Sequence, residues 1–398
     1  MRVLAALLLA MISTMARAEG QFDLSLDLRL IASDSRMSYL YGGLGKLRFD
    51  EDHDGLQVGR LRAAWNQQLG ELVQLQIDAS LWNPGDVNAF DLTEAYLEFR
   101  PYPAGAWRSR VKVGAFHAPI SLEQRAAGWT NPYLISSSAI NTWAGEELRT
   151  IGAEYTLDWL GMRSGHDFDA GLVAALYAYN DPAGVLVASR GWSLHDRQTS
   201  LFGKVGEPGA GPVPGRVLFE EIDDRVGYYF GAHLGYLDRV ELRYLHYNNR
   251  ADPAQFDANI DDFAWLTYFD SIGLRVETAG GWTFISQWLG GETSILEGSS
   301  AEWLYDSTFV LVSKAIGRHR ISARADWFDV DQVETTWYSL SHESGDAWTV
   351  GYGYEHDRHW NFAVEALQIR SNVTNRASIG EPTRATERQL QLQFRYSL

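Results

Sequence analysis

The residues that could do chemistry are opposed charges. Arg60 and Arg62 sit two apart in DGLQVGRLRAAW (54–65), and Lys112 sits in a second alternating run, RVKVGAF (110–116). Residues two apart in an extended segment share a face. The arginines therefore make one basic strip, and Lys112 adds to it from a nearby strand. Glu94 is on the polar face of LTEAYLEF (92–99), and the segment 117–147 carries His117, Glu123, Arg125, Glu146 and Glu147. A basic wall facing an acidic segment does one of two things. Across a water-filled passage it sets a transverse field that sorts ions. In contact, the same charges pair and hold the segment down. Both can act together. His117 either offers its ring to a ligand or is a satisfied interior histidine.

A second constellation is Asp50, Asp52 and Asp54 ahead of Gly55, which has the spacing of a calcium loop. Its twelfth position is Leu61 and not Glu, so it is no EF-hand, and the same residues make an ordinary acidic, solvated loop. Ca2+ there is the single cofactor expectation. Gly-x-Ser-x-Gly and His-Glu-x-x-His are both absent, so no catalytic residues are expected.

Such charges need alternating elements to hold them, and period-2 alternation runs from end to end. Leu390, Leu392, Phe394, Tyr396 and Leu398 oppose Gln389, Gln391, Gln393, Arg395 and Ser397; Leu24, Leu26, Leu28 and Leu30 oppose Asp23, Ser25, Asp27 and Arg29. Strands are expected near 22–31, 56–66, 71–82, 91–100, 109–116, 148–158, 167–180, 225–237, 238–250, 268–279, 281–290, 304–316, 318–330, 346–356, 359–371 and 387–398. Many reach the ~9–11 residues that span a bilayer, against a soluble mode of ~5–6. Long connections at 32–55, 83–90, 117–147, 181–224, 251–267, 291–303, 331–345 and 372–386 alternate with short turns. Short turns at one rim and long loops at the other are the asymmetry of outer-membrane barrels. The expected fold is therefore all-β, a transmembrane antiparallel up-and-down β-barrel of about 16 strands, its long third loop (117–147) folded inward. Trp65, Trp82, Phe99, Trp107, Trp159, Tyr236, Trp282, Trp327, Trp360 and Tyr396 fall at strand ends, as interfacial girdles do.

The chain's start reads as a leader. Arg2, the apolar run Val3–Ile12 and Ala16-Arg17-Ala18 give a signal peptide over 1–18 and one barrel domain over 19–398. Losing Arg2 and Arg17 takes the net charge from −17 to −19. An excess of 51 acidic over 34 basic residues argues against nucleic acid as a partner. There is no Cys, so an exported chain must be held by other means, such as a closed sheet. No mature run reaches the ~18 apolar residues of a spanning helix.

The segment 54–155 resembles the phosphate-selective porin O/P family of Gram-negative outer membranes, through DGLQVGRLRAAW (54–65), LVQLQIDA (72–79), LTEAYLEF (92–99), VKVGAFHAPISLEQ (111–124) and LRTIGAEY (148–155). The run Gly114–Glu123 is the most specific part. The resemblance implies 16 strands, an inward third loop and a homotrimer. Only Lys46, Lys112, Lys204 and Lys314 are present, so phosphate selectivity is not carried over. The expected function is an outer-membrane porin, a passive diffusion channel for small hydrophilic solutes or ions narrowed by 117–147, with outer-membrane lipid and lipopolysaccharide around it. Three readings stay open beside it: a substrate-specific channel for an anion, organic acid or sugar, a barrel enzyme, and a structural or adhesive barrel with a closed lumen, which a filled lumen would show.

Overall fold

A computed structural model describes residues 20–82, 90–206, 215–260, 262–295, 301–334 and 341–398. The expected leader and most of the loop at 83–90 lie outside these residues. Sixteen strands close into one antiparallel barrel, each paired with its sequence neighbour. They are β1 (Gln21–Ser33), β2 (Gly55–Leu69), β3 (Val73–Trp82), β4 (Asp91–Phe99), β5 (Trp107–Phe116), β6 (Thr150–Trp159), β7 (Phe168–Ala178) and β8 (Gly227–Tyr236). The second half comprises β9 (Val240–Asn248), β10 (Leu266–Glu277), β11 (Trp282–Ile295), β12 (Ala301–Ile316), β13 (His319–Glu334), β14 (His342–Glu355), β15 (Trp360–Val373) and β16 (Arg384–Ser397). The first strand meets the last, with Leu26 opposite Tyr396 and Leu28 opposite Phe394, so no edge is left open. No helix among the described residues is long and apolar enough to cross a membrane.

Alternation sorts the two faces. Leu30, Val350, Leu390 and Phe394 point outward and stay about half exposed, whereas Arg29, Gln391 and Gln393 point inward and are buried. Strands of the second half run further toward the long-loop rim than the pattern suggested: β11 reaches Ile295 and β13 reaches Glu334. There the outward positions turn polar (Glu292, Asp306, Asp329, Asp331), so alternation fades although the ladder continues. Trp82 is not a girdle residue. It shares the inward parity of Asp78, is buried, and lies under the Arg48 and Arg60 guanidiniums.

Two short helices lie within the loops: α1 (Ala139–Glu147), whose N-cap Ser138 accepts the Asn141 N–H, and α2 (Val185–Arg190). The main apolar core is inside the barrel, where these helices meet the inward side chains of β7–β15.

Gly114 shows how closely β4 and β5 approach. Its φ is +136°, and a Cβ would run into the Ala95 carbonyl and the Tyr96 backbone. Gly114→Ala is expected to lower stability by about 1–3 kcal/mol, read as a fall in the denaturation midpoint with the barrel still closed.

Candidate functional site in the barrel lumen

The segment 117–149 enters the lumen from the long-loop end and is fastened to the wall at several points. Arg324 on β13 donates to Glu123 (2.8 Å) and to the carbonyls of Ser136 and Ser137 (2.8 Å each), and its Nε reaches Asp326 (2.7 Å). Glu365 on β15 accepts the N–H groups of Ile135 (2.7 Å) and Ser136 (3.0 Å). Arg243 donates to the carbonyls of Pro119 and Ser121 (3.1 Å each), and Gln287 to that of Ile120 (3.0 Å). Side chains on four strands thus satisfy loop backbone that has left water.

Two further loops fold in beside it, which the sequence reading did not anticipate. Glu146 at the end of α1 pairs with Arg190 of α2, lies 3.5 Å from Arg197 and 3.4 Å from His195, and accepts the Tyr39 hydroxyl at 2.9 Å. Arg190, with the His195 ring beside it, holds the Glu146 carboxyl well below the usual carboxylate range, despite its burial. Lys46 pairs with Glu343 on β14 (2.6 Å), and Asp196 bridges Arg29 on β1 and Arg48. Burial lowers the Lys46 ammonium, with Glu343 acting against the shift. The signal available for the fourth loop was Val185–Ala188 with Trp192, an apolar run too long for a solvated loop.

Between these contacts the filling is apolar. Trp143 lies 5.4 Å from both Phe269 and Tyr305 and 6.0 Å from Trp192. Tyr247 stacks on Phe269 at 4.8 Å and on Tyr177 at 5.2 Å. Tyr177, Tyr229, Leu245, Tyr247, Phe269, Leu289, Tyr305, Phe309 and Phe328 all point inward and are buried. At this level the three loops make a plug packed like a protein interior. Glu147 sits in it, accepting the Leu186 N–H (2.9 Å) and the Trp143 indole N–H. Burial pushes its carboxyl up to about 7.

The charges singled out by sequence therefore find partners other than those expected. Among the described residues, none of Arg60, Arg62 and Lys112 reaches Glu123, Glu146 or Glu147 within ion-pair distance. Arg60 donates to Ser80 Oγ (2.9 Å) and to the Gly128 carbonyl (3.0 Å); Arg62 pairs with Asp78 on its own wall (2.6 Å); Lys112 lies 3.6 Å from Glu154. Arg125 pairs with Glu241 on β9 (2.7 Å). Glu94 accepts the His117 N–H (3.0 Å), and the His117 ring stacks on Trp129 at 4.2 Å beside Arg149. Burial and the Arg149 charge push His117 well below its ordinary value, so it is neutral. Period-2 parity fixes which face a strand residue takes, but not which wall a loop residue meets.

Asp50, Asp52 and Asp54 do not converge. Asp50 is buried and turned onto the N–H groups of Ser38 (2.8 Å) and Asp52 (3.2 Å) and onto His53, while Asp52 and Asp54 are exposed. Carboxylates come together elsewhere, in Asp181–Glu221–Asp223 and in Asp329–Asp331 with His342. Ser193 Oγ lies 3.3 Å from His195 Nε2, but both are buried and that nitrogen faces Glu146 and Tyr39, which leaves no room for a substrate.

On the short-turn side of the plug a cavity of about 240 Å³ remains, lined in part by Tyr133, Arg320, Gly353, Asn361, Gln393 and Arg395. Arg320 donates to Ser313 Oγ (3.0 Å) and lies 5.2 Å over the Tyr133 ring. Among the described residues no carboxylate is within ion-pair distance of it.

No protein-family model matches the chain, and no curated protein sequence does. Solved structures match over almost its whole length. The outer membrane channel DcaP of Acinetobacter baumannii is 11% identical, with 95% of this chain and 97% of that one covered at a TM-score of 0.54. The anion-selective porin from Comamonas acidovorans is 11% identical, with 96% and 99% covered at 0.52. The trimer form of the outer membrane protein OmpT of Vibrio cholerae is 10% identical, with 95% and 99% covered at 0.50. At such identities the likeness is one of architecture, and the chain has the barrel fold of outer-membrane porins.

Proposed function

We propose that the chain is an outer-membrane channel of the porin type in a Gram-negative cell, passing small hydrophilic solutes or ions through a lumen narrowed by the segment 117–147. The observation that carries this reading is the two-faced closed sheet. Its outward side chains are apolar and half exposed over the height of a belt, its inward ones are polar except where they pack against the plug, and each strand of the closed sheet is paired on both sides. The leader expected at 1–18 supports export, and the trimeric OmpT neighbour supports a homotrimer. The resemblance of 54–155 to the phosphate-selective porin O/P family supports the same class. No nucleic-acid partner, resident cofactor or catalytic role belongs to this reading.

The plug sets the expected behaviour. With the long-loop half of the lumen filled, steps of conductance should be small and infrequent until the plug loosens. The mature net charge of −19 should favour cations, more so at low salt. Conductance and reversal potential of the purified protein in a planar bilayer under a salt gradient test both points. Silence from a folded wild-type barrel and from a variant with a loosened plug would overturn the channel. A second reading, a channel specific for an organic acid or another small anion, is favoured by the cavity at Arg320, where Arg318, Arg320 and Arg395 line the wall with Glu355 beside Tyr133 and Asn361. Block of the current by a small carboxylate, lost in Arg320→Ala, would select it.

A further inference from the structure

The plug has two unlike sides. Toward β7–β15 it is packed with aromatic rings. Toward β2–β6 it is polar and short of hydrogen bonds. There Arg149 Nε and Thr199 Oγ1 are buried without a hydrogen-bond partner among the described residues. Native interiors leave few such atoms, and a place that water can visit accommodates them. Glu94 and His117 lie in the same region, and Arg149 also donates to the Thr199 carbonyl (2.9 Å).

The tip of the third loop separates this region from a cavity of about 270 Å³ at the short-turn rim. Ala126, Ala127 and Thr130 line that cavity together with Arg60, Arg62 and Arg395. The Trp129 ring turns the other way. It stacks on the His117 ring at 4.2 Å with 6° between the planes, and it packs against Gly145 of α1, where an added Cβ would come within 2.9 Å of it. Thr199 is on the far side of that contact, its N–H donating to the Gly145 carbonyl (3.2 Å).

The tip is also the least secured part of the loop. Residues 133–149 are buried throughout and 117–124 nearly so, whereas 125–132 are exposed or half-buried. Gly128 and Trp129 have φ of +65° and +52°. Glycine adopts such a value freely, but a bulky aromatic residue is strained there. Strain of this kind persists only while neighbouring groups hold it. Here Arg60 and Gln198 each donate to the Gly128 carbonyl (3.0 Å), and Gln198 donates to that of Trp129 (2.8 Å). One clip comes from the wall and the other from the fourth loop.

We propose that Trp129 is the lid of the passage. Solutes move along the β2–β6 side of the lumen, past Arg149, His117 and Arg60, when the tip 126–130 gives up its left-handed turn and the indole leaves His117 for the cavity below. The aromatic side of the plug stays in place. The inference rests on the channel reading and names its route.

The chain has no cysteine, so a thiol placed behind the ring reports access. Thr199→Cys puts one there. Thr267→Cys is the control, at a buried position on the packed side where the threonine hydroxyl donates to the Ala183 carbonyl. In the purified full-length barrel a small charged methanethiosulfonate should modify Thr199→Cys slowly, and at least about tenfold faster once Trp129→Ala is added. Thr267→Cys should stay slow in both backgrounds. Trp129→Tyr should restore most of the protection, because it keeps a ring over His117. Gln198→Ala keeps the indole but removes both its clips, and should raise the rate about fivefold. In planar bilayers Trp129→Ala should open more often than wild type. Heat-modifiable gel mobility confirms that each variant is folded. Equal rates at Thr199→Cys with and without the indole would overturn the lid, and so would an equal acceleration at Thr267→Cys, which would mean a plug loosened throughout. Faster modification with no current from either folded protein would keep the lid and sink the channel reading instead.

Discussion

Arg324→Ala should be the most damaging single change in the lumen, costing about 3–5 kcal/mol and freeing the third loop. Arg324, Glu123 and Asp326 are all fully buried. Removing the cation leaves two carboxylates in a dry site, together with the Ser136 and Ser137 carbonyls that Arg324 also serves. The large term is the uncompensated charge and not the net worth of the ion pair. Removing all three charges together, as Arg324→Met with Glu123→Gln and Asp326→Asn, should therefore cost less than Arg324→Ala alone. Arg324→Lys should fall between, because an ammonium keeps the charge but not the fork that reaches both acids. Denaturant midpoints order the variants, and single-channel recording asks what the loop does. Larger and more frequent openings in Arg324→Ala are expected. A destabilised barrel with unchanged conductance would show that the loop is not the constriction, and an undisturbed midpoint would show that Arg324 does not hold it.

Glu147 should make the plug sensitive to pH. Its carboxyl is fully buried among Trp143, Leu186 and the aromatic filling, and burial raises it from its usual 4.5 to about 7; the Leu186 and Trp143 N–H groups and Arg190 act against the shift, while the Glu146 charge adds to it. An acid whose folded value is raised holds its proton in the folded state where the unfolded chain has lost it. Its contribution to stability is fully present below about 4.5, declines as pH rises, and is lost above about 7. The change across that window is about 3 kcal/mol. The plug should thus be tightest in mild acid and loosest above neutrality, with conductance rising in the same direction. His195, buried beside Glu146 and lowered mainly by that burial, opposes this trend on the acid side. The decisive quantity is therefore the difference between wild type and Glu147→Gln. The variant should be more stable than wild type at pH 8, indistinguishable near pH 4.5, and without the rise in conductance between. Parallel pH profiles for the two proteins would remove Glu147 from the plug's response.

The wall was legible in the sequence because a strand carries its environment at every second residue. Leu390 to Leu398 against Gln389 to Ser397 needed no partner to be read, and all sixteen expected strands appear in sequence order. The pattern failed where the surroundings stop being two-valued. Near the long-loop rim the outward positions are no longer apolar, so Glu292 and Asp331 look like loop although they lie in strands. The inward fold of 117–147 was legible from its length and mixed composition, but its fastenings were not. Glu123 and Arg324 are 201 positions apart, and nothing in either segment says that they meet. The first and fourth loops were missed for a related reason. Tyr39, Lys46 and Arg48 look like exposed loop residues until something is there to bury them.

The seam between β1 and β16 sets the order in which this chain can become a protein. Asp27 accepts a hydrogen bond from Gln393, 366 positions away, and Gln391 accepts one from Arg29. Contacts of that separation cannot nucleate anything, since almost the whole chain must be in place before they form. Until then the growing sheet has two bare edges, and the acids and arginines destined for its interior are open to water and to each other. Closure is a single late event that hides the edges and seals the plug together. A chain shortened by its last strand would not be a slightly weaker barrel but an open sheet seeking another to pair with.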